Sequence, residues 1–156
     1  MKTRFIINII LFVLVFVSSN LKAETIFFDS KNIKIEENGN MIFATKGKAN
    51  IPSSNLIIEG DKFIYNKKIS ELIVLDDVKY FDRENKVYIE SQKIIYNEVT
   101  NTIFSKSDTY IKYEDDYKIN SSDVLYNRTS NEILSNQFTK ITDKNQNKFQ
   151  FNKGLI

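Results

Sequence analysis

From Leu56 to Asn127 the chain writes one line three times. Apolar residues alternate with polar ones, the phase slips once, and the line ends in Tyr-Asn. The copies are Leu56, Ile58, Gly60, Phe63, Tyr65, Asn66; then Val87, Ile89, Ser91, Ile94, Tyr96, Asn97; then Tyr117, Ile119, Ser121, Val124, Tyr126, Asn127. A weaker copy precedes them at Ile26, Phe28, Ser30, Ile33 and Ile35, with Glu36 in the place of Asn. The copies start at 26, 56, 87 and 117, so the steps are 30, 31 and 30. Period two in hydrophobicity predicts a strand with one buried face. The spacing of three after the small residue would throw the second half of an unbroken strand onto the opposite face. A bulge or sharp bend at Gly60, Ser91 and Ser121 restores the phase, and a small residue suits such a corner. The Asn after Tyr suits a turn.

Each unit also holds a return. The stretches 41–51, 69–81, 102–113 and 133–141 are rich in β-branched and aromatic residues, which predicts strands. Turn-forming clusters at 37–39, 52–55, 66–68, 82–85, 97–101, 114–116, 127–131 and 143–147 separate them. No segment after residue 23 carries a 3.6-residue stripe. The expected fold is all-β, with two long, bent, antiparallel strands per unit, wrapped into a jellyroll or folded trough. A fifth unit starts at Phe149, with Phe151, Lys153 and Ile156 at its third, fifth and eighth places. The chain thus stops in mid-strand. Either the end frays there or this is the front of a longer protein, and the second reading is the one adopted.

The inward candidates are Ile58, Phe63, Tyr65, Val78, Tyr80, Val87, Ile89, Ile94, Tyr96, Ile119, Val124 and Tyr126. Taken singly, each reads as core. As a set they repeat an aromatic at each level, and an unclosed trough lined this way would hold an acyl chain at any height.

The first residues stand apart. Lys2 and Arg4 precede an apolar run of 13 residues, Phe5 to Val17, broken by Asn8 and followed by a polar stretch ending at Ala23. A membrane span needs about 20 apolar residues, so 1–23 reads as a cleaved signal peptide and 24–156 as the domain. Removing 1–23 takes out Lys2, Arg4 and Lys22 and leaves 19 basic against 20 acidic residues, or net −1. That balance carries no drive toward nucleic acid. The chain has no Cys and no His, which removes thiol and imidazole catalysis, most zinc sites and any disulfide. No phosphate-binding glycine loop is present. Catalytic, metal and cofactor residues are therefore expected to number none. Two carboxylate pairs, Asp76–Asp77 and Asp115–Asp116, are the places a glycosidase-like mechanism would use, and both read as solvated charge in or beside turns. Asn127-Arg128-Thr129 has the glycosylation spacing and is read as a turn.

The repeated line resembles the OstA-like domain of the lipopolysaccharide-transport proteins. The stretch 61–66, Asp-Lys-Phe-Ile-Tyr-Asn, is the best match. Ala44-Thr45-Lys46-Gly47-Lys48-Ala49 and Leu75-Asp76-Asp77-Val78 are similar to that family's corner, the second with Asp where Gly is usual. The resemblance spans 26–156. The domain occurs in LptA-like proteins and at the front of LptD, and LptC has a similar fold behind an uncleaved anchor; a cleaved leader fits the first two, and a mid-unit ending favours the LptD front. The resemblance implies a β-jellyroll "taco" with an open hydrophobic groove, lined by the twelve residues above. It implies a periplasmic, non-enzymatic module that holds the lipid A acyl chains of lipopolysaccharide. Such a module joins other jellyroll domains by edge-strand addition, and meets an outer-membrane barrel in LptD. Against this stand a structural or adhesin-like repeat with a closed core, and an enzyme on a β-helix. The β-helix would want shorter rungs and one constant spacing, which a 30-residue unit with a hairpin return lacks.

Overall fold

A computed structural model describes residues 25–152, and the backbone of 154 and 155. The signal-peptide reading of 1–23, and Lys153 and Ile156 of the fifth unit, lie outside the described residues. The elements are β1 (Phe27–Glu36), β2 (Met41–Ile51), β3 (Leu56–Asn66), β4 (Glu71–Asp82), β5 (Val87–Asn97), β6 (Thr102–Tyr113), β7 (Tyr117–Asn127), β8 (Glu132–Ser135), β9 (Thr139–Asp143), β10 (Lys148–Phe151) and β11 (Gly154–Leu155), with single 3-10 turns at Glu37–Gly39 and Pro52–Ser54. All pairings are antiparallel, and β1 to β7 pair in sequence order. The fold is an all-β jellyroll whose sheet does not close on itself.

The ladders that join β3 to β7 are interrupted near the middle of each strand. The register shifts between Glu59 and Lys62, Leu75 and Val78, Ser91 and Lys93, and Ser105 and Asp108. These are the corners that the three-residue spacing requires, and they leave both halves of a strand with apolar side chains inward. In β5, for example, Val87, Ile89 and Ser91 are buried before the corner, and Ile94 and Tyr96 after it. The left-handed backbone is taken by Lys46, Asp76, Asp77, Ser107 and Asp123, not by the small residues. Gly60 is there for space: a Cβ would sit 2.5 Å from Val74 Cγ1. Gly47 lets β1 approach β2, since its Cβ would lie 2.1 Å from the Asp29 carbonyl oxygen.

The corners divide the sheet into two leaves packed face to face. One leaf holds the strand halves next to the turns at 52–55, 83–86, 114–116 and 144–147. The other holds those next to the turns at 37–40, 67–70, 98–101 and 128–131. Beyond β7 the bent strand breaks at its corner. β9 pairs with the first half of β7 and β8 with the second. β10 continues the first leaf on β9, and β11 the second on β8. The return expected at 133–141 is therefore two strands, because segment 136–138 crosses the corner without pairing. The fourth strand runs Glu71–Asp82, two residues later than expected at its start. Asp76–Asp77 is not beside a turn but at the corner in the middle of β4, where Lys62 Nζ lies 2.9 Å from Asp76.

The repeated Asn does what its position predicts. Asn66, Asn97 and Asn127 each accept backbone N–H groups through Oδ1, from Lys68 (3.0 Å), Thr100 (3.0 Å) and Thr129 (2.9 Å). Such side-chain turns close the strand ends. Successive turns then bond one another. Lys67, Glu98 and Arg128 donate their N–H to the carbonyls of Asn40, Ser70 and Asn101; on the other leaf, Arg83 and Glu114 donate to Asn55 and Lys86. Each leaf thus ends in its own bonded row of turns.

Candidate functional site

The space between the leaves is the candidate site. All twelve residues expected to face inward do so, and all are buried: Tyr65 is the most accessible at 6%. The return strands β2, β4, β6, β8 and β9, which the repeated line does not cover, supply as much of the lining. Leu72, Val74, Ile103, Ile111, Ile133 and Ile141 are buried there. Their signal was legible, since they alternate at period two within the return segments. The interior at these levels is filled by the protein's own side chains, with Tyr80 against Tyr126 across the leaves at 6.5 Å between ring centroids.

Near the corner the wedge is too narrow for large side chains, and its lining changes along the stack. Under β2 to β4 it is Ala44, Gly47, Gly60, Val74 and Val78. Under β5 to β9 it is a buried ladder of hydroxyls. Ser105 Oγ lies 2.8 Å from Thr109 Oγ1, which donates to Ser91 Oγ at 3.3 Å; Ser121 Oγ lies 2.9 Å from Ser135 Oγ and 2.8 Å from Thr139 Oγ1. Each hydroxyl finds a partner, as burial demands.

At the opposite side the two rows of turns meet in a seam. Arg128, from the turn after β7, reaches across it. Its Nε donates to Asp82 Oδ2 at 2.7 Å and one terminal nitrogen donates to the Ser54 carbonyl at 3.0 Å. The other terminal nitrogen donates to Asn101 Oδ1 on its own row at 2.8 Å. The two charged side chains are 4% and 0% exposed. Tyr126 Oη donates to Asp82 Oδ2 at 3.3 Å, and Asn131 Nδ2 donates to Tyr113 Oη across the same seam at 2.8 Å. Asp82 is also held from its own row: Oδ1 accepts the N–H of Glu84 and Asn85, and Oδ2 accepts Asn85 Nδ2. Burial pushes the Asp82 carboxyl upward, but the bonds from Arg128 and Asn85 outweigh it and hold it below the usual carboxylate range. Burial also raises the Tyr80 and Tyr126 hydroxyls, with the Asp82 charge adding to it. Sequence reading placed Asp82 and Arg128 in turns and gave neither a role. Parity is the signal that finds them: Val78, Tyr80, Asp82 and Tyr126, Arg128 continue the inward alternation by one step.

Among the described residues both ends of the stack are uncovered. Ile33 and Ile35 of β1 occupy the inward places held by Ile94 and Tyr96 in β5, yet are 50% and 62% exposed. Phe149 and Phe151 of β10 are 45% and 43% exposed. Among the described residues β1 pairs only with β2, so its outer edge presents unpaired backbone groups. Phe28, edge-on to Phe63 at 5.9 Å, covers part of the interior at that end. A separate concavity of about 770 Å³ crosses the outer face beside the corner. The registered row Lys79, Glu90, Tyr110, Asn120 and Lys140 lines it. Phe138 and four residues of the wedge near the corner, Val78, Ser91, Thr109 and Ser121, line it as well, so polar and apolar groups meet there.

A scan against family models finds no match, and a search of curated proteins finds none. Among solved structures, the chain is similar to LptH of Pseudomonas aeruginosa, described as the LptA homologous periplasmic component of the conserved lipopolysaccharide transport device. The TM-score is 0.63 at 8% identity, over 70% of this chain and 80% of that one. The chain therefore has the LptA-like, OstA-type β-jellyroll fold.

Proposed function

We propose that residues 24–156 form a periplasmic carrier module for lipopolysaccharide, delivered by a cleaved leader at 1–23, as an LptA-like protein or as the front of an LptD-like one. The lipid A acyl chains would lie between the leaves, against Phe63, Tyr65, Ile94, Tyr96, Val124 and Tyr126, with Ile58, Val78, Tyr80, Val87, Ile89 and Ile119 as the facing wall. Neighbouring jellyroll domains would add strands to β1 and to β10 and β11, and an outer-membrane barrel would follow in the LptD case. No cofactor is needed, because the work is holding and passing on an amphiphile.

The observation that carries this reading is the state of the two ends. A closed repeat protein caps its last units with polar residues. Among the described residues the inward positions Ile33, Ile35, Phe149 and Phe151 stay apolar and uncovered, which supports a greasy interior that continues toward a neighbour beyond β1. The likeness to LptH supports it at the level of fold. The filled interior favours a second reading, a structural or adhesin-like repeat whose core stays shut.

Photo-crosslinking in cells separates the two. A benzophenone amino acid replaces Tyr65, Ile94 or Tyr126, with Lys79 and Lys118 on the outer face as controls. Lipopolysaccharide adducts at the three interior sites and not at the controls are expected. Their absence in a folded, exported protein would leave the closed repeat.

A further inference from the structure

Resting on the carrier reading, we infer that Arg128 is a headgroup-binding residue: it latches the seam shut on Asp82, and an anionic amphiphile opens the seam by taking the place of Asp82 on the guanidinium. The seam is where an amphiphile with chains between the leaves must put its polar end, since the corner side is continuous sheet. Arg128 is the cationic side chain that crosses it, beside the Tyr126–Asp82 and Asn131–Tyr113 bonds. Its contacts divide cleanly. Asn101 belongs to its own row, through both Oδ1 and the backbone carbonyl that accepts the Arg128 N–H at 3.1 Å. Asp82, Ser54 and the exposed Glu84, whose carboxylate lies 3.6 Å from a terminal nitrogen, belong to the other row.

Asp82 can release Arg128 and stay bonded. Two backbone N–H groups, Asn85 Nδ2 and the Tyr80 hydroxyl, at 3.4 Å, all come from its own strand or turn. Each row is held together by its turn-to-turn backbone bonds, so the rows can part without either unravelling. The corners, where the ladder is already interrupted, are the natural hinge. With chains between the leaves Arg128 stays at the margin of an apolar interior, where a guanidinium favours an anionic partner. A phosphate supplies one in the fork geometry that guanidinium prefers. An amphiphile with a neutral head offers no such exchange, so the latch would sort ligands by headgroup charge while the leaves sort by chain.

The test uses the purified full chain and two probes with the same acyl chains, bisphosphorylated lipid A and its dephosphorylated form, each competing with a fluorescent fatty acid. The parent is expected to bind the phosphorylated probe more tightly. Arg128→Gln should weaken it by about tenfold or more and leave the dephosphorylated probe within about twofold, and Arg128→Lys should restore part of the difference. Asp82→Asn should speed association of the phosphorylated probe alone. Circular dichroism checks the strand signature of every variant; if Arg128→Gln does not fold, Arg128→Lys and Asp82→Asn carry the test. Equal loss of both probes, or no loss, would overturn the headgroup role, and unchanged association in Asp82→Asn would overturn the exchange. A parent that binds neither probe sinks the carrier reading itself, and the latch with it.

Discussion

Asp82 and Arg128 show how much a single parity step decides. One residue earlier or later, each would be solvated turn charge, worth little. At the inward position they form a desolvated pair that spans the seam. Removing one partner leaves the other charge buried. Asp82→Asn is therefore expected to lower unfolding stability by about 3–5 kcal/mol, measured by denaturant titration. The pH dependence follows from the same pair. The folded Asp82 carboxyl lies below its unfolded value, so its contribution is fully present above about pH 4. It is lost as pH falls through the lower, folded value. Acid titration of the parent should show that loss, and Asp82→Asn should lack it. At this scale the sequence was partly legible. The Asn of each Tyr-Asn pair announced its turn, whereas the charges at 82 and 128 sat inside turn-like clusters that hid their orientation.

A strand's place in the stack overrides its pattern. Ile33 and Ile94 hold the same position in the repeated line, and both point to the same side of their strands. Ile94 is covered by strands on both sides and by the facing leaf; Ile33 lies on the edge strand and is half exposed. Ile94→Ala is expected to cost about 2–5 kcal/mol through lost burial and a cavity. Ile33→Ala should stay within about 0.5 kcal/mol. Thermal melts of the two variants beside the parent check this. The corner is also set at this scale. The slip from two to three in the spacing was readable at Gly60, Ser91 and Ser121. That the left-handed residues would be Lys46, Asp76, Asp77, Ser107 and Asp123 was not, because a corner can be turned by more than one backbone geometry, at any of several neighbouring residues, and the sequence leaves the choice open.

For the whole molecule, the unclosed sheet matters most. Among the described residues its leaves are joined at the corner, bridged at the seam by Arg128 and Asp82, and uncovered at both ends. Such ends favour stacking of like modules by strand addition. Sedimentation should show association that grows with concentration, and Ile33→Lys with Ile35→Lys should abolish it while the melting temperature stays near that of the parent. Retained association in that double variant would mean that β1 is not the joint.

The strands, the corners, the turns and the inward face were readable from local rules: period-two alternation, one slipped step per unit, an Asn after each repeated Tyr and polar turn-forming clusters between the strands. The tertiary structure decided what those rules cannot express. It split the last return into β8 and β9, since each half of β7 needs its own neighbour in a different leaf. It filled the trough, because two apolar faces brought together exclude water by packing on each other. And it drew residues 46 positions apart into one clasp, since only the fold at the corner brings the two rows of turns within reach.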